Sequence, residues 1–135
     1  MTLRAVIVDD NVEFLGAARV LLERQGISVV GVASNGAEAL RCVEEHRPDV
    51  VLVDVDLGDE SGFDVAGRLS STTRRGTPVV LISAYPEEDL EDLIDISAAI
   101  GFVSKSRLTA DAVVKVLNRG TRAIRLAGFE EPKDG

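Results

Sequence analysis

The chain of 135 residues is poor in cysteine, in long apolar runs and in basic residues. Its one cysteine, Cys42, excludes an internal disulfide and a cysteine-rich zinc site, and its neighbours on an inward-facing helical stripe favour a small buried hydrophobe. The longest uncharged apolar runs, such as Val50 to Val53, have strand length and fall far short of a membrane span. The residues after Met1 do not resemble a signal peptide, so we expect a cytoplasmic protein.

Acidic residues outnumber basic ones by 23 to 15, which gives a formal net charge of −8. A domain that binds nucleic acid needs a basic face to neutralise the phosphates. The excess of acidic residues therefore argues against direct nucleic-acid binding. It suits a site that gathers carboxylates around a divalent cation, although surface acids that serve solubility give the same total. Hydrophobic residues make up 45% and charged residues 28%, which is typical of a globular domain.

Short apolar runs alternate with helical stripes along the chain. The runs predict five strands, at Leu3–Val8, Ile27–Ala33, Val50–Asp54, Val79–Ser83 and Gly101–Ser104. The segments between them predict five helices, at Val12–Gln25, Gly36–His46, Phe63–Ser70, from Pro86 onward, and from Thr109 or Asp111 to about Asn118. Most strands are almost continuously apolar, as expected when both faces of a sheet are buried. The pattern therefore predicts an α/β fold with an open parallel sheet covered on both sides.

All the predicted strands lie within residues 1–118, which we interpret as one domain without an internal repeat or linker. Residues 119–135 are predicted to be a helix extension or linker with a frayed tail from Glu130 to Gly135. The last helix can pass Gly120, since one internal glycine costs only about 1 kcal/mol. A solvated helical face is expected from the arginines at every third position: Arg119, Arg122 and Arg125.

Polar residues follow the predicted strands at the point where each strand ends. Asp9 and Asp10 end the first strand, Asp54 the third and Ser83 the fourth, and Lys105 follows the fifth. In open α/β sheets, ligands bind beyond the carboxyl ends of the strands. We therefore expect three carboxylates, one hydroxyl and one ammonium to meet at one edge of the sheet.

Three neighbouring carboxylates repel one another, and the repulsion costs more in a partly desolvated cleft than in water. A bound Mg²⁺ relieves it, because a hard cation prefers oxygen ligands and tolerates retained waters. Lys105 supplies a further positive charge. Such a site can accept a dianionic phosphoryl group that bare aspartates would repel.

Five fragments of the sequence form a recognisable set. They are Val8-Asp9-Asp10-Asn11, Leu52-Val53-Asp54-Val55-Asp56, Gly62 eight residues beyond Asp54, Leu81-Ile82-Ser83-Ala84 and Gly101-Phe102-Val103-Ser104-Lys105. Together they resemble the receiver domain of bacterial two-component response regulators. They stand in the family's order and near its spacing, over about residues 3–118. The resemblance implies a flavodoxin-like, doubly wound fold of five βα units with strand order 2-1-3-4-5.

The resemblance also implies a Mg²⁺ site. In the family's pattern, Asp10 would bind the ion directly and Asp9 would help through a water molecule. Asp54 would contribute its carboxylate, and Asp56 its backbone carbonyl.

The phosphoryl chemistry follows from the same resemblance. Asp54 would be the nucleophile, its carboxylate attacking phosphorus to form an acyl phosphate. Lys105 would pair with the phosphoryl oxygens, and Ser83 would hydrogen-bond one of them. Phe102 occupies the family's switch-aromatic position, where the ring turns inward once the hydroxyl is drawn to the phosphoryl group. The chain would then be a phosphorelay signalling domain and not an enzyme, although it assists its own phosphorylation and dephosphorylation.

Two residues depart from the family's pattern. Ser106 follows the lysine where the family usually has proline, and a cis peptide there would cost about 3–4 kcal/mol, so we expect a trans bond and a shifted loop. Gly58 replaces a proline common after the phosphorylated strand, which predicts a more mobile loop. Neither change removes a chemical group from the expected site.

The resemblance names the expected partners by class. The phosphoryl donor would be a sensor histidine kinase or a phosphotransfer protein. A homodimer or an output domain would bind through the fourth helix, fifth strand and fifth helix. We expect no membrane contact and no direct contact with nucleic acid.

Two alternatives remain open. The chain could be a pseudo-receiver that binds a partner without phosphorylation, which an Asp54→Asn variant with full regulation would favour. It could also be a phosphatase of the haloacid-dehalogenase type, because Asp54-Val55-Asp56 echoes the Asp-x-Asp motif of that class. In those enzymes the motif normally ends the first strand, whereas here it ends the third. Turnover of a phosphate monoester would support the phosphatase hypothesis.

Overall fold

The computed structural model describes residues 2–72 and 76–128, and within these ranges the chain forms one five-stranded parallel sheet. Its strands are β1 (Arg4–Val8), β2 (Ser28–Ala33), β3 (Val50–Asp54), β4 (Val79–Ser83) and β5 (Gly101–Ser104). They are arranged in the order β2-β1-β3-β4-β5. The predicted strands and the order implied by the resemblance are confirmed.

Helices connect the strands on both sides of the sheet. They are α1 (Val12–Arg24), α2 (Gly36–His46), α3 (Gly62–Thr72), α4 (Glu91–Ile96) and α5 (Ala110–Gly128). Short 3-10 turns span Glu87–Asp89 and Lys105–Arg107. Within the described ranges, none of these helices combines the length and apolar character needed to cross a membrane.

The fourth helix differs from the sequence-based prediction. The segment after Pro86 forms a 3-10 turn before α4 begins at Glu91, and neither element contains a buried residue. Most helix stability in proteins comes from packing of an apolar face, so this stretch lacks what would sustain one longer helix. The fifth helix takes the longer course that the sequence left open, past Asn118 and Gly120 to Gly128. The predicted tail from Glu130 and the side chains of Arg122 and Arg125 lie outside the residues described.

Successive residues of each strand point to opposite faces of the sheet, and both faces are covered by helices. The fold therefore has two separate cores, one on each face. On one face, α2 and α3 pack against strand residues such as Val6, Val53 and Leu81. On the other, α1 and α5 pack against strand residues such as Ile7 and Leu52. Each fully buried aliphatic side chain contributes about 1.5–3 kcal/mol relative to an exposed one. The two cores hold the sheet rigidly, and with it the carboxyl ends of the strands.

Cys42 is buried in the core beneath α2, as the sequence predicts. Its thiol lies over Gly31 of β2, where a side chain on residue 31 would collide with the sulfur atom. Burial raises the pKa of the Cys42 thiol, and the nearby carboxylates of Glu45 and Glu38 raise it further. The thiol is therefore a small apolar group of the core.

Polar side chains define where the helices next to the strand ends begin. Asn11 caps α1 by accepting a hydrogen bond from the backbone N–H of Phe14 at 3.1 Å. Asn35 caps α2 in the same way, accepting from Glu38 N–H at 2.9 Å. Thr109 Oγ1 accepts from Ala112 N–H at 3.0 Å at the start of α5. Each cap satisfies a backbone donor that the helix leaves free, which is worth about 1 kcal/mol.

Candidate functional site

The carboxyl ends of the strands bring the predicted polar residues to one edge of the sheet. Val8 pairs with Val53 across β1 and β3, so that Asp9 and Asp54 leave neighbouring strands at the same level. Asp54 in turn pairs with Ile82, and Ser83 pairs with Ser104, the residue before Lys105. The parallel register therefore explains why residues far apart in sequence meet here.

Three carboxylates form a cluster at this edge. One oxygen each from Asp9, Asp10 and Asp54 lies within 4.8 Å of the others. Asp9 is 0% exposed and Asp54 is 7% exposed, whereas Asp10 faces solvent. Two unit charges about 4–5 Å apart repel by roughly 3–4 kcal/mol at an effective dielectric constant near 20. The cluster is thus costly unless cations balance it.

Lys105 bridges the two buried carboxylates. Its Nζ lies 2.6 Å from Asp9 Oδ2 and 3.1 Å from Asp54 Oδ2, and its side chain is only 18% exposed. The same ammonium lies 4.2 Å from the centre of the Phe14 ring, at the first turn of α1. Lys105 therefore has two anionic neighbours and one aromatic neighbour.

The protonation equilibria of the site follow from these contacts. Burial raises the pKa of Asp54, the charge of Asp9 raises it further, and Lys105 opposes both effects. For Lys105, burial lowers the pKa, but the hydrogen bonds and charges of Asp9 and Asp54 outweigh burial and the net direction is upward. The lysine is accordingly held as an ammonium, and one ammonium faces three carboxylates.

The donor set fits a hard divalent cation. Asp9 Oδ1 accepts a hydrogen bond from Asn11 N–H at 2.9 Å, and the buried Asp9 Oδ2 lies 2.6 Å from Lys105 Nζ, which it shares with Asp54. One ammonium does not balance three clustered carboxylates, which favours a further cationic partner at this site. Carboxylate oxygens are the ligands that Mg²⁺ prefers, and the exposed Asp10 leaves one side open to water.

The side chain of Asp56 lies in the loop after β3 and does not belong to the carboxylate cluster. The backbone N–H of Asp56 donates to Asp54 Oδ1 at 3.3 Å, and its own Oδ1 accepts from Gly58 N–H at 3.1 Å. Gly58 has φ +78°, a left-handed value that proline cannot adopt, and a side chain there would come within 3.1 Å of Asp10 Oδ2. The role of the Asp56 carbonyl and the mobility of this loop remain predictions.

Ser83 lies at the same strand edge as the cluster, whereas Phe102 lies further back in β5, where it pairs with Leu81. Ser83 is buried, and its Oγ accepts a hydrogen bond from Tyr85 N–H at 3.0 Å. Phe102 is 8% exposed and packs in the same core as Leu81. The Ser106 peptide bond is trans, as predicted, and its hydroxyl lies 3.0 Å from that of Ser104. The expected switch of Ser83 and Phe102 and the shift of the loop at Ser106 remain predictions.

Phe14 is the site residue that sequence reasoning missed. It lies four residues beyond Asp10, and its apolar character reads as part of the inward stripe of α1. The ring indeed packs against the core between α1 and the sheet, but it also reaches the ammonium. The available signal was its position in the first helical turn after an aspartate pair that ends a strand.

The sequence of the chain is similar to those of known proteins. A family model, described as the response regulator receiver domain, matches residues 5–118. The chain is 28% identical over 110 residues to the transcriptional regulatory protein PdtaR of Mycobacterium tuberculosis, covering 82% of this chain and 53% of that protein. It is 44% identical over 84 residues to the transcriptional regulatory protein KdpE of the same organism, covering 62% of this chain and 35% of that protein. The chain therefore spans about half the length of the first relative and about a third of the second.

Solved structures show the same architecture. The signal receiver domain of the response regulator NarL from Mycobacterium tuberculosis superposes with a TM-score of 0.71 at 31% identity, covering 89% of this chain and 97% of that one. The signal receiver domain of a modulated diguanylate cyclase from Desulfovibrio desulfuricans G20 gives a TM-score of 0.74 at 27% identity, covering 94% and 99%.

Proposed function

The chain belongs to the family of response regulator receiver domains, and on that premise we propose that Asp54 accepts a phosphoryl group in a Mg²⁺-dependent reaction that switches partner binding. The observation that carries the proposal is the Lys105 ammonium, 3.1 Å from Asp54 Oδ2 beside a cluster of three carboxylates. A lysine ion-paired to two buried acids is hard to explain as a surface charge, because burying the three groups costs free energy.

Asp54 is the nucleophile of the proposed reaction. One carboxylate oxygen forms a bond to phosphorus, while the bond between phosphorus and the leaving group breaks. The leaving group, an imidazole nitrogen of a phosphohistidine or the carboxylate of acetyl phosphate, keeps the electron pair. The acceptor must be ionised for attack, and Lys105 opposes the upward pKa shift that burial imposes on Asp54.

Lys105 and Ser83 complete the acceptor site. The ammonium of Lys105 already points at an Asp54 oxygen, so it can pair with the oxygens of an incoming phosphoryl group without moving far. The Ser83 hydroxyl accepts a bond from Tyr85 N–H and keeps its own proton available to donate to a phosphoryl oxygen.

Asp9, Asp10 and Asp54 would hold the metal ion, with the backbone carbonyl of Asp56 as a further ligand. When bound, Mg²⁺ supplies positive charge that offsets the repulsion among the carboxylates and the phosphoryl oxygens. The excess of three carboxylates over one ammonium and the all-oxygen donor set support this assignment.

The output of the domain is proposed to be a change of its interaction surface. Phosphorylation adds negative charge beside Ser83 and Lys105, and a change from mostly inactive to mostly active needs several kcal/mol of differential stabilisation. We propose a sensor histidine kinase or a phosphotransfer protein as donor, and the face formed by α4, β5 and α5 as the surface that meets an output domain or a second copy. PdtaR and KdpE are named transcriptional regulatory proteins, and a similar role for the whole protein that contains this chain is part of the proposal.

The test is the intact mass of the protein after incubation with Mg²⁺ and acetyl phosphate. We expect wild type to gain one phosphoryl group, and Asp54→Asn to gain none. Asp56→Asn is the matched control, because this carboxylate lies two residues further along and is engaged by Gly58 N–H. It should keep the gain.

A wild-type protein that stays unmodified with acetyl phosphate and with a phosphorylated histidine kinase would overturn the proposal in favour of the pseudo-receiver alternative. Equal gain in wild type and Asp54→Asn would move the acceptor to another residue. Steady turnover of a phosphate monoester would support a phosphatase instead.

A further inference from the structure

The Phe14 ring is a neighbour of the Lys105 ammonium that carries no formal charge. The ring centre lies 4.2 Å from Nζ, within the range of about 6 Å at which an aromatic face attracts a cation. The other two contacts are the carboxylates of Asp9 and Asp54. The attraction is stronger here than at an open surface, because the lysine side chain is only 18% exposed.

Hydrogen bonds that start from the carboxylate site fix the backbone of Phe14. Asp9 Oδ1 accepts the N–H of Asn11, and Asn11 Oδ1 accepts the N–H of Phe14. Phe14 is partly buried and packs against the core that α1 shares with the sheet. The backbone of Phe14 is therefore fixed by the turn that carries Asp9, and its side chain is held by the core.

The proposed reaction changes both carboxylate partners of the lysine. Asp54 becomes an acyl phosphate, and Asp9 is a candidate cation ligand. The partners of Lys105 thus alter in charge during the cycle, whereas the Phe14 ring takes no part in the reaction and its own charge distribution does not change. A neighbour of this kind is suited to hold the ammonium in place while its ionic partners change.

Resting on the proposed transfer to Asp54, we propose that Phe14 is a positioning residue for Lys105, whose aromatic face keeps the ammonium directed at the acceptor oxygen through the reaction. Its role requires the aromatic face as well as apolar bulk, which separates it from an ordinary core residue.

The first test measures the rate of Asp54 phosphorylation by acetyl phosphate with Mg²⁺, followed by intact mass, in three variants. Phe14→Leu keeps the apolar bulk and removes the face, and we expect the rate at low donor concentration to fall roughly three- to tenfold. Phe14→Tyr keeps the face and should stay within about twofold of wild type. Val20→Ala is the control, since Val20 is a half-exposed residue six positions further along the same helix, and it should leave the rate unchanged.

The second test separates an effect through the lysine from a general structural effect. Added to Lys105→Met, the Phe14→Leu change should have no further effect on the residual rate, because there is no ammonium to hold. A rate equal to wild type in Phe14→Leu, an equal loss in Phe14→Tyr, or an undiminished further loss in the double variant would overturn the proposal.

A third measurement does not depend on phosphorylation. The chain has three lysines, so ¹³C-labelled lysine gives few signals, and the ring current of Phe14 should shift the side-chain protons of Lys105. That shift should vanish in Phe14→Leu and persist in Phe14→Tyr. If wild type accepts no phosphoryl group, the proposed function is wrong, but this result alone does not test the contact between Phe14 and Lys105. Lys105 signals that stay unchanged in Phe14→Leu would show that this contact is absent, and they would overturn the positioning role.

Discussion

Gly62 begins α3 directly against the end of β3, where the backbone of the acceptor residue runs. Its N–H donates to Val55 O at 2.7 Å, and a side chain at this position would collide with the carbonyl of Asp54 and come within 2.8 Å of Val55 Cα. Real side chains essentially never approach a backbone so closely, so residue 62 must be glycine for α3 to start here. The absence of a side chain at residue 62 therefore allows α3 to begin directly against the strand end that carries Asp54.

We predict that Gly62→Ala lowers the free energy of unfolding by about 1–3 kcal/mol and slows phosphorylation of Asp54, because the backbone must shift to admit the methyl group. Gly67→Ala is the matched control on the same helix, since the space around Gly67 is open. It should stabilise the protein by about 0.5–1 kcal/mol, as alanine does inside a helix. Urea unfolding and the phosphorylation rate check both, and equal behaviour of the two variants would contradict the steric explanation.

The residues of the site differ in how far the sequence predicts them. Asp9, Asp54 and Lys105 are predictable because each directly follows or ends an apolar run, and parallel strands bring such ends together. The contact between Phe14 and Lys105 is not predictable in this way. It depends on how far α1 is rotated about its axis, a property set by packing across the whole core.

The loop after β3 is tied to two helices by the side chain of Glu60. One carboxylate oxygen accepts the backbone N–H of Gly36 at the start of α2, and the other lies 3.5 Å from the guanidinium of Arg68 on α3. A carboxylate at a helix N-terminus gains from the unpaired N–H groups and from the helix dipole. Glu60 therefore connects the loop that carries Asp56 and Gly58 with the helices beneath it.

We predict that Glu60→Ala lowers the free energy of unfolding by about 1 kcal/mol, because the first N–H group of α2 loses its acceptor. Glu60→Gln keeps an oxygen acceptor and should lose less. Glu88→Ala, which removes an exposed acid from the 3-10 turn before α4, is the control and should have little effect. Urea unfolding measures these changes. An equal loss of unfolding free energy in the three variants would contradict the proposed connection through Glu60.

Prediction at the level of elements succeeds where a segment has an apolar face and fails where it lacks one. The strands and the first three helices carry buried residues at regular spacing, and their predicted bounds agree with the structure to within one or two positions. The segment from Glu87 to Ile96 has no buried residue, so the sequence pattern could not separate one long helix from a turn and a short one.

The molecule as a whole concentrates negative charge at one edge of its sheet. Three carboxylates and one ammonium lie there, within a chain that already carries a formal charge of −8. Placing like charges together costs stability, so the site is expected to oppose folding unless a cation is present.

We predict that Mg²⁺ at ten times its dissociation constant stabilises wild type by about 1.4 kcal/mol, or roughly 4–6 °C in Tm for a chain of this size. Asp10→Asn should raise Tm without Mg²⁺, since it removes one repelling charge, and should lose most of the gain from the ion. Asp92→Asn, an exposed acid of α4, should keep that gain in full. Thermal unfolding with and without Mg²⁺ checks this, and the same response in all three proteins would place the ion elsewhere.

The burial of Cys42 makes this protein a convenient background for site-directed spectroscopy. The chain contains no other thiol, and Cys42 reacts slowly because it is buried and burial raises its pKa. A cysteine introduced at Ile96, which is 83% exposed at the end of α4, can be labelled with a fluorophore or a spin label. We expect the buried thiol of Cys42 to remain unlabelled under the same conditions. Movement of the proposed output face could then be followed in real time without first replacing a core residue.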